Sequence, residues 1–204
     1  MSFLRKVTVK PWEHAGEMEG VHGGYSAGLS ASRTGLYLFL AVITSMFLLF
    51  SISHKLRASF PDWQAIAEPG ILWFNTGILL LASIALQLAS NAAKRGARPA
   101  TRNNLMAGTL LTVVFIAGQV LAWREMVAAG LYATENPANA FFYMFTGVHG
   151  LHQVGGLWFL IGALKRSAAS TEDESLPLRI SLCATYWHYL LLVWALLFYL
   201  LLNS

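Results

Sequence analysis

The sequence predicts an all-α integral membrane protein: a bundle of five transmembrane helices with a cytoplasmic N-terminus and an outside C-terminus. Three observations support this fold class. Of the 204 residues, 56% are hydrophobic and only 12% are charged, whereas a water-soluble domain carries about 25% charged residues. The apolar residues are concentrated in five long stretches. Most of the basic residues lie between these stretches, in segments that share one side.

Each of the five apolar stretches has the length of a membrane span, about 20 residues. Helices are the expected structure, because a helix pairs its own backbone N–H and C=O groups in lipid. The short alternating strands of a membrane barrel are absent from the sequence. We therefore predict a cytoplasmic tail over 1–34 and a transmembrane domain over 35–204, with helices at about 35–54, 70–89, 105–123, 141–164 and 180–202.

The basic residues determine the predicted orientation, because lysine and arginine are enriched in cytoplasmic segments of membrane proteins. Of the 14 basic residues, all but three lie in the tail, in the second loop or in the fourth loop. The exceptions are Lys55, Arg57 and Arg124. The net charge of +4 is thus explained by topology, and no nucleic-acid partner is predicted.

The acidic residues all lie outside the predicted spans, in the tail and the loops. A proton path through apolar surroundings usually requires an ionisable carboxylate at depth. A complete proton path within this chain is therefore not expected. The spans also contain no lysine or arginine, which argues against voltage sensing and against pairing with a charged substrate.

Three histidines are the groups well inside the spans that titrate near neutral pH. His149 and His152 are three residues apart and share a face of the fourth helix, and His188 lies in the fifth. Imidazole can bind zinc, copper or iron, and haem can take axial histidines from facing helices. No further ligand pattern favours a metal or a haem. We predict interhelical or lipid hydrogen bonds, with a proton relay as the alternative, and no catalytic, metal or cofactor site.

Other polar and basic residues are candidate contacts between helices or with lipid. Asn75 and Gln119 lie within spans, where an interhelical hydrogen bond contributes about 1 kcal/mol or less. Lys165 and Arg166 follow the fourth span on the predicted cytoplasmic side. There they anchor the topology or bind an anionic lipid headgroup.

Small residues in the spans indicate helix packing. Gly147 and Gly155 are eight residues apart, so they lie on roughly one face of the fourth helix and predict the close approach of a neighbour. Cys183 is the single cysteine, which excludes an internal disulfide, and its apolar surroundings suggest a packing role.

Short motifs occur in all five spans. The fourth span contains TGVHGLH, which fits the pattern TGxHGxH, and the fifth contains YWHYLLLVW, which is similar to YWHFxDxxW. In this order, the motifs resemble those of subunit III of the haem-copper terminal oxidases. The matching residues are Gly35, Leu38, Phe39, Leu40, Asn75, Thr76, Phe115, Gln119, Thr146, Gly147, His149, Gly150, His152, Tyr186, Trp187, His188 and Trp194.

The resemblance implies the short, five-helix form of this subunit, located in the bacterial cytoplasmic (inner) membrane. Such a chain is non-catalytic and binds no redox group, because haem and copper lie in the catalytic subunit I beside which it packs. Subunit II and membrane phospholipid are further implied partners, and the complex reduces dioxygen with electrons from cytochrome c or quinol. Trp187 and Trp194 join the three histidines as candidate interhelical or lipid contacts.

The chain departs from the family pattern at three positions where the resemblance predicts carboxylates within the membrane. These positions hold Ile43, Ala122 and Leu191. Without those carboxylates, a role as a proton buffer for the partner loses support. Lipid binding and structural support remain expected.

Three alternative functions are weighed against this interpretation. The accessory subunit of nitric oxide reductase resembles subunit III and differs mainly in its catalytic partner. A small membrane transporter would show inverted repeats or broken helices, whereas these spans are uninterrupted. A haem-binding cytochrome would need axial ligands that the histidine pattern does not favour.

Overall fold

A computed structural model of the protein describes residues 24–65, 69–168 and 174–203, and the side chains from residue 31 onward. Within these ranges the regular structure is entirely helical, which confirms the predicted all-α fold. The helices are α1 (Gly24–Arg57), α2 (Ile71–Lys94), α3 (Arg98–Ala128), α4 (Pro137–Ala168) and α5 (Leu176–Leu202). Each helix continues beyond its predicted span into flanking residues, and α1 begins within the predicted tail.

Four of the five helices are long and apolar enough to cross a membrane: residues Ala31–Arg57 of α1, together with α2, α3 and α5. Helix α4 has 32 residues, or about 48 Å of helix, so its length is sufficient. It lacks a continuous stretch that is apolar enough, because His149, His152 and Gln153 lie in its middle. By composition, the prediction of five spans is therefore supported for four helices.

The chain divides into two units, Met1–Gly35 and Leu36–Ser204. In the first unit the structure describes only the beginning of α1. In the second unit, α2 and α4 each pack against both α3 and α5. Helices α2–α5 thus form a closed four-helix bundle. The largest side chains of its core are Phe115, Phe142, Phe145, Trp187 and Trp194, all fully buried.

Glycines end two of the helices in the bundle. Gly96 and Gly130 have φ angles of 69° and 77°, in the left-handed region that residues other than glycine rarely adopt. After Gly130, the Leu131 N–H donates to the Met126 carbonyl at 3.0 Å, and an equivalent bond follows Gly96. This pattern is the Schellman motif. It allows α2 and α3 to be joined by a three-residue connection, so that they are antiparallel neighbours.

In the second unit, α1 contacts the bundle through long side chains. The Phe47 and His152 ring centroids are 5.8 Å apart, and the Thr44 and Tyr189 hydroxyls form a 2.9 Å hydrogen bond. Towards the end of α1, the buried His54 ring contacts the rings of three aromatic residues, Trp63, Phe141 and Phe145. These contacts connect α1 with α4, α5 and the segment that follows α1.

Candidate functional site

Three tryptophan–threonine hydrogen bonds join the helices of the bundle. In each, the indole N–H donates to a threonine hydroxyl on another helix of the bundle. That hydroxyl donates in turn to the carbonyl four residues before it, at 2.7–2.8 Å. Both partners are therefore satisfied away from water. The pairs, which we call the indole locks, are Trp194–Thr76, Trp187–Thr112 and Trp123–Thr146, at 2.9, 3.0 and 2.9 Å.

A glycine allows α4 and α5 to approach closely. A Cβ atom at Gly156 would lie 2.6 Å from a ring carbon of Tyr186 and 2.9 Å from the ring of Trp187. The prediction that Gly147 and Gly155 allow the close approach of a neighbour is therefore wrong. A Cβ at Gly155 meets nothing within 4 Å, and one at Gly147 reaches only Trp123, at 3.7 Å. One residue corresponds to a rotation of about 100° around a helix, which turns Gly156 towards α5 and Gly155 away from it.

His188 joins α5 to α2 through both nitrogens of its ring. Nδ1 pairs with the Ser83 hydroxyl, and Nε2 lies 2.9 Å from Gln87 Oε1. The Gln87 amide nitrogen donates to Asn91 Oδ1 at 3.1 Å. Because Oε1 can only accept, Nε2 carries the proton in the neutral ring and Nδ1 accepts from Ser83. We call Ser83, His188, Gln87 and Asn91 the polar row.

The rings of His149 and His152 are bonded within their own helix. His149 is completely buried, with its ring centroid 5.1 Å from that of Trp194, and its nearest polar contact is Gln153, at 3.4 Å. His152 Nδ1 donates to the Val148 carbonyl at 2.8 Å. Among the described residues, the interhelical hydrogen bonds expected for three histidine rings are therefore found for His188 alone. The His152 backbone carbonyl does accept a bond from another helix.

Asn75 and Gln119 are both buried, as expected for residues inside the bundle. Neither side-chain amide has a hydrogen-bond partner in the part of the chain that the structure describes, so the structure does not give the interhelical bonds predicted for them. The next residue after Asn75, Thr76, forms such a bond instead. Gly118 makes room for the Asn75 amide, because a Cβ there would lie 2.0 Å from Oδ1.

Lys165 and Arg166 lie in the last turn of α4, and both are exposed. A basic pair at a helix C-terminus is also favoured by the helix dipole. The binding of an anionic headgroup by these residues stays a prediction.

The three positions where carboxylates were expected from the family pattern hold apolar side chains in the folded protein. Ile43 and Ala122 belong to the hydrophobic core, with exposed fractions of 2% and 0%, and Leu191 packs against that core. A carboxylate buried at such a position would need a hydrogen-bonding partner. The described residues also contain no group of three His, Cys, Asp or Glu side chains that could hold a metal ion.

Several residues of this network were not singled out from the sequence. Thr112 and Ser83 are examples, as is Trp123 in its bond to Thr146. A threonine or serine within an apolar helix commonly bonds to its own backbone, so its presence does not reveal a partner on another helix. Only the packing of the helices identifies these pairs.

The helix order and these contacts define an α-helical, multi-pass membrane protein whose buried polar side chains link its helices. A family model described as cytochrome c oxidase subunit III matches residues 29–203. The chain belongs to the cytochrome c oxidase subunit III family.

Relatives of the chain carry names from two kinds of oxidase. Cytochrome c oxidase subunit 3 of Synechocystis is 30% identical over 193 residues, which cover 90% of this chain and 78% of the relative. Cytochrome bo(3) ubiquinol oxidase subunit 3 of Pseudomonas aeruginosa is 25% identical over 179 residues, 87% of this chain and 86% of the relative. "Probable cytochrome c oxidase subunit 3" of Mycobacterium tuberculosis H37Rv is 30% identical over 123 residues, 60% of this chain. The chain spans 61% of that relative's length.

Proposed function

We propose that the chain is the non-catalytic subunit III of a respiratory haem-copper terminal oxidase in a bacterial cytoplasmic membrane. In this role it packs beside catalytic subunit I, with subunit II in the same complex, and binds phospholipid. Haem and copper are held by the partner, where dioxygen is reduced. The family match and the names of the oxidase relatives support this proposal.

One structural observation carries the proposal: residues of the motifs that resemble the family form contacts between helices. Thr76, Thr146, Trp187 and Trp194 all take part in the indole locks. The motif histidine His149 is enclosed by aromatic rings. These motifs hold the helices of the bundle together, which suits a supporting subunit.

The outer surface of α4 is suited to a membrane neighbour. Leu151, Trp158 and Phe159 have exposed fractions of 69%, 79% and 72%. Lipid or the helices of a partner subunit would cover such a surface in a membrane. At the end of the same helix, Lys165 and Arg166 offer positive charge to an anionic headgroup.

Purification of the tagged chain from its native membranes tests the proposal. The membranes are dissolved in a mild detergent, the bound proteins are identified by mass spectrometry, and the optical spectrum and dioxygen consumption are recorded. We expect a haem-copper catalytic subunit, haem absorption and dioxygen reduction. Purification from cells that express the untagged chain measures the background.

Two variants sharpen this experiment. Gly156→Leu disrupts the contact between α4 and α5, whereas Gly155→Leu adds the same side chain at an open position. We expect the partner to be retained with Gly155→Leu and lost with Gly156→Leu. A complex that reduces nitric oxide instead of dioxygen would identify the nitric oxide reductase accessory subunit. A colourless chain without an oxidase subunit would refute both assignments.

A further inference from the structure

Buried polar atoms without a partner are concentrated in one part of the bundle. Among the described residues, nine buried nitrogen or oxygen atoms of side chains have no hydrogen-bond partner. Six of these atoms belong to four residues of α2, α3 and α4, whose exposed fractions are 4% or less. We call these residues the interior polar cluster: Asn75, Gln119, His149 and Gln153. A polar atom that is removed from water without a partner is unfavourable, so six of them together indicate a ligand that bonds to them.

An indole lock brings the cluster residues of α3 and α4 to one level. Trp123 of α3 donates to Thr146 of α4, and a short connection makes these two helices antiparallel. From this bond, Gln119 lies four residues back along α3, and His149 lies three residues further along α4. At 1.5 Å per residue, both steps run in the same direction and differ by only about 1.5 Å. Gln119 and His149 are therefore at nearly the same height in the bundle.

Helix α2 contributes Asn75 at the same level. The Asn75 amide lies against Gly118, the residue that precedes the α3 member of the cluster. Trp194 connects α2 with α4, because its indole bonds to Thr76 and its ring centroid lies 5.1 Å from that of His149. The unpaired atoms thus come from three helices that surround one region of the interior.

The cluster offers both donors and acceptors. The amide nitrogen of Gln153 lies 3.4 Å from Nε2 of His149. Because an amide nitrogen only donates, Nε2 accepts, and the neutral ring carries its hydrogen on Nδ1. Nδ1 is then a buried donor without an acceptor, and Gln153 Oε1 is a buried acceptor without a donor. The amides of Asn75 and Gln119 each add one unpaired nitrogen and one unpaired oxygen. The cluster therefore holds three donor groups and three acceptor groups.

This composition selects the chemistry of the ligand. A cation would bind only the three carbonyl oxygens and would leave the N–H groups unpaired, whereas an anion would leave the oxygens unpaired. None of the four side chains carries a full charge to balance an ion. Water is small and uncharged, and it both donates and accepts. A buried water typically makes about three hydrogen bonds to polar groups that otherwise lack partners.

We propose that the interior polar cluster is a binding site for ordered water, which links α2, α3 and α4 inside the bundle. The water accepts from the N–H groups of the cluster and donates to its carbonyl oxygens. A bridging water of this kind is nearly as favourable in enthalpy as a direct hydrogen bond. It supplies the links between helices that the sequence predicted for Asn75, Gln119 and His149. The proposal concerns the interior of this chain and does not depend on the proposed function.

X-ray footprinting of the protein purified from its native membranes detects interior water. A short X-ray pulse splits water into hydroxyl radicals, which oxidise side chains next to ordered water as well as those in contact with bulk solvent. Trp194 is fully buried and adjoins His149, so we expect its oxidation in mass spectra of peptides. Tyr132, 48% exposed in the connection between α3 and α4, is the standard for bulk labelling. Radicals generated chemically in bulk solvent should oxidise Tyr132 and spare Trp194. Absence of X-ray oxidation at Trp194, or equal oxidation by both sources, would overturn the proposal.

Paired variants show whether the cluster holds this water. Asn75→Leu and Gln119→Met nearly preserve the size of the side chain and remove the amide. Each takes away partners of the water, so we expect the loss of X-ray oxidation at Trp194. Gln87→Met is the control, because it removes an amide that already has direct partners in the polar row, and it should leave the oxidation of Trp194 unchanged. Full oxidation of Trp194 in both cluster variants would overturn the assignment of the water to these residues.

Thermal unfolding of the same variants distinguishes a hydrated interior from a dry one. In a dry interior, each apolar replacement removes an unpaired polar group, so each variant raises the unfolding midpoint and the two effects add. In a hydrated interior, Asn75→Leu or Gln119→Met alone removes water from the partners that remain and lowers the midpoint. The double variant should then lower the midpoint by less than the sum of the two single effects, because the residues share one network. Raised midpoints, or effects that simply add, would overturn the proposal.

Discussion

Helix α1 and the α2–α5 bundle differ in how many of their residues are buried and in the contacts that fix them in place. In the most apolar part of α1, 11% of the residues are buried, compared with 50% in α5. The bundle is joined by the indole locks and by the close contact at Gly156. From Leu36 onward, α1 contacts its neighbours through aromatic rings and the bond between Thr44 and Tyr189.

The two regions therefore differ in the source of their stability. Within the bundle, neighbouring helices fit at positions where one added carbon atom would clash. Along α1, many large apolar side chains remain exposed, including Leu49 and Val42. A smaller part of α1 is therefore fixed by contacts within the chain. Changes within the bundle should affect the whole fold, and changes along α1 should remain local.

The largest expected effect comes from Gly156→Leu. The new side chain would overlap the buried rings of Tyr186 and Trp187, and overpacking of this kind costs about 3 kcal/mol. Thermal unfolding, followed as the loss of monodisperse protein in size-exclusion chromatography, measures the effect. Gly155→Leu is the matched control and should have little effect. Equal destabilisation by the two variants would contradict the close contact at Gly156.

Breaking one indole lock should have a smaller effect. Trp187→Phe removes the bond to Thr112 and part of a fully buried ring, and we expect a loss of about 1–2 kcal/mol. Trp158→Phe makes the same change at a ring that is 79% exposed and should cost about 0.5 kcal/mol or less.

A double-mutant cycle isolates the bond itself. Trp187→Phe is combined with Thr112→Val, and unfolding in lipid nanodiscs is measured for both single variants and the double variant. We expect a coupling energy of about 0.6 kcal/mol, the average for hydrogen bonds between membrane helices. If the two changes are simply additive, the bond does not contribute to stability.

The existence and order of the helices could be predicted because a membrane span leaves a long apolar stretch in the sequence. The helix ends were less predictable, because the helices continue into polar residues that lie outside the apolar stretches. For α4, hydropathy also gave a weaker signal, because buried polar residues such as His149 and Gln153 lie within it.

The site could be predicted only in part. Trp187, Trp194 and His188 were recognised as candidate contacts, but their partners Thr112, Thr76 and Ser83 depend on the rotation of each helix. A one-residue difference changes the direction of a side chain by about 100°, which is why Gly156 and not Gly155 faces α5. Asn75 and Gln119 are buried as expected, without the hydrogen bonds that their positions suggested.

A local effect is expected where α1 meets α5. Thr44→Val removes an exposed hydrogen bond to Tyr189 and should cost about 0.5 kcal/mol. Backbone hydrogen exchange should become faster in α1 and remain unchanged in α3. Thr112→Val is the comparison, because it breaks a bond inside the bundle. Faster exchange throughout the bundle in Thr44→Val would show that α1 and the bundle are stabilised together.

The smallest effect concerns the segment after α1. Arg57 donates to both carboxylate oxygens of Asp62, and this hydrogen bond holds the pKa of Asp62 below its ordinary value of 3.8. Because the folded pKa is the lower one, the ionised carboxylate stabilises the folded segment above the unfolded pKa. That contribution is lost as the pH falls through the folded pKa.

We therefore expect Asp62→Asn to loosen residues 58–65 at neutral pH, with the two proteins converging as the pH falls well below 3.8. Backbone hydrogen exchange of this segment as a function of pH measures the difference, after correction for the intrinsic pH dependence of exchange. Glu125→Gln, which removes a carboxylate at the end of α3, is the control. A difference between wild type and Asp62→Asn that persists at the lowest pH would mean that the charge of Asp62 is not its cause. In that case the end of α1 would be held by the buried ring of His54 and not by the exposed ion pair.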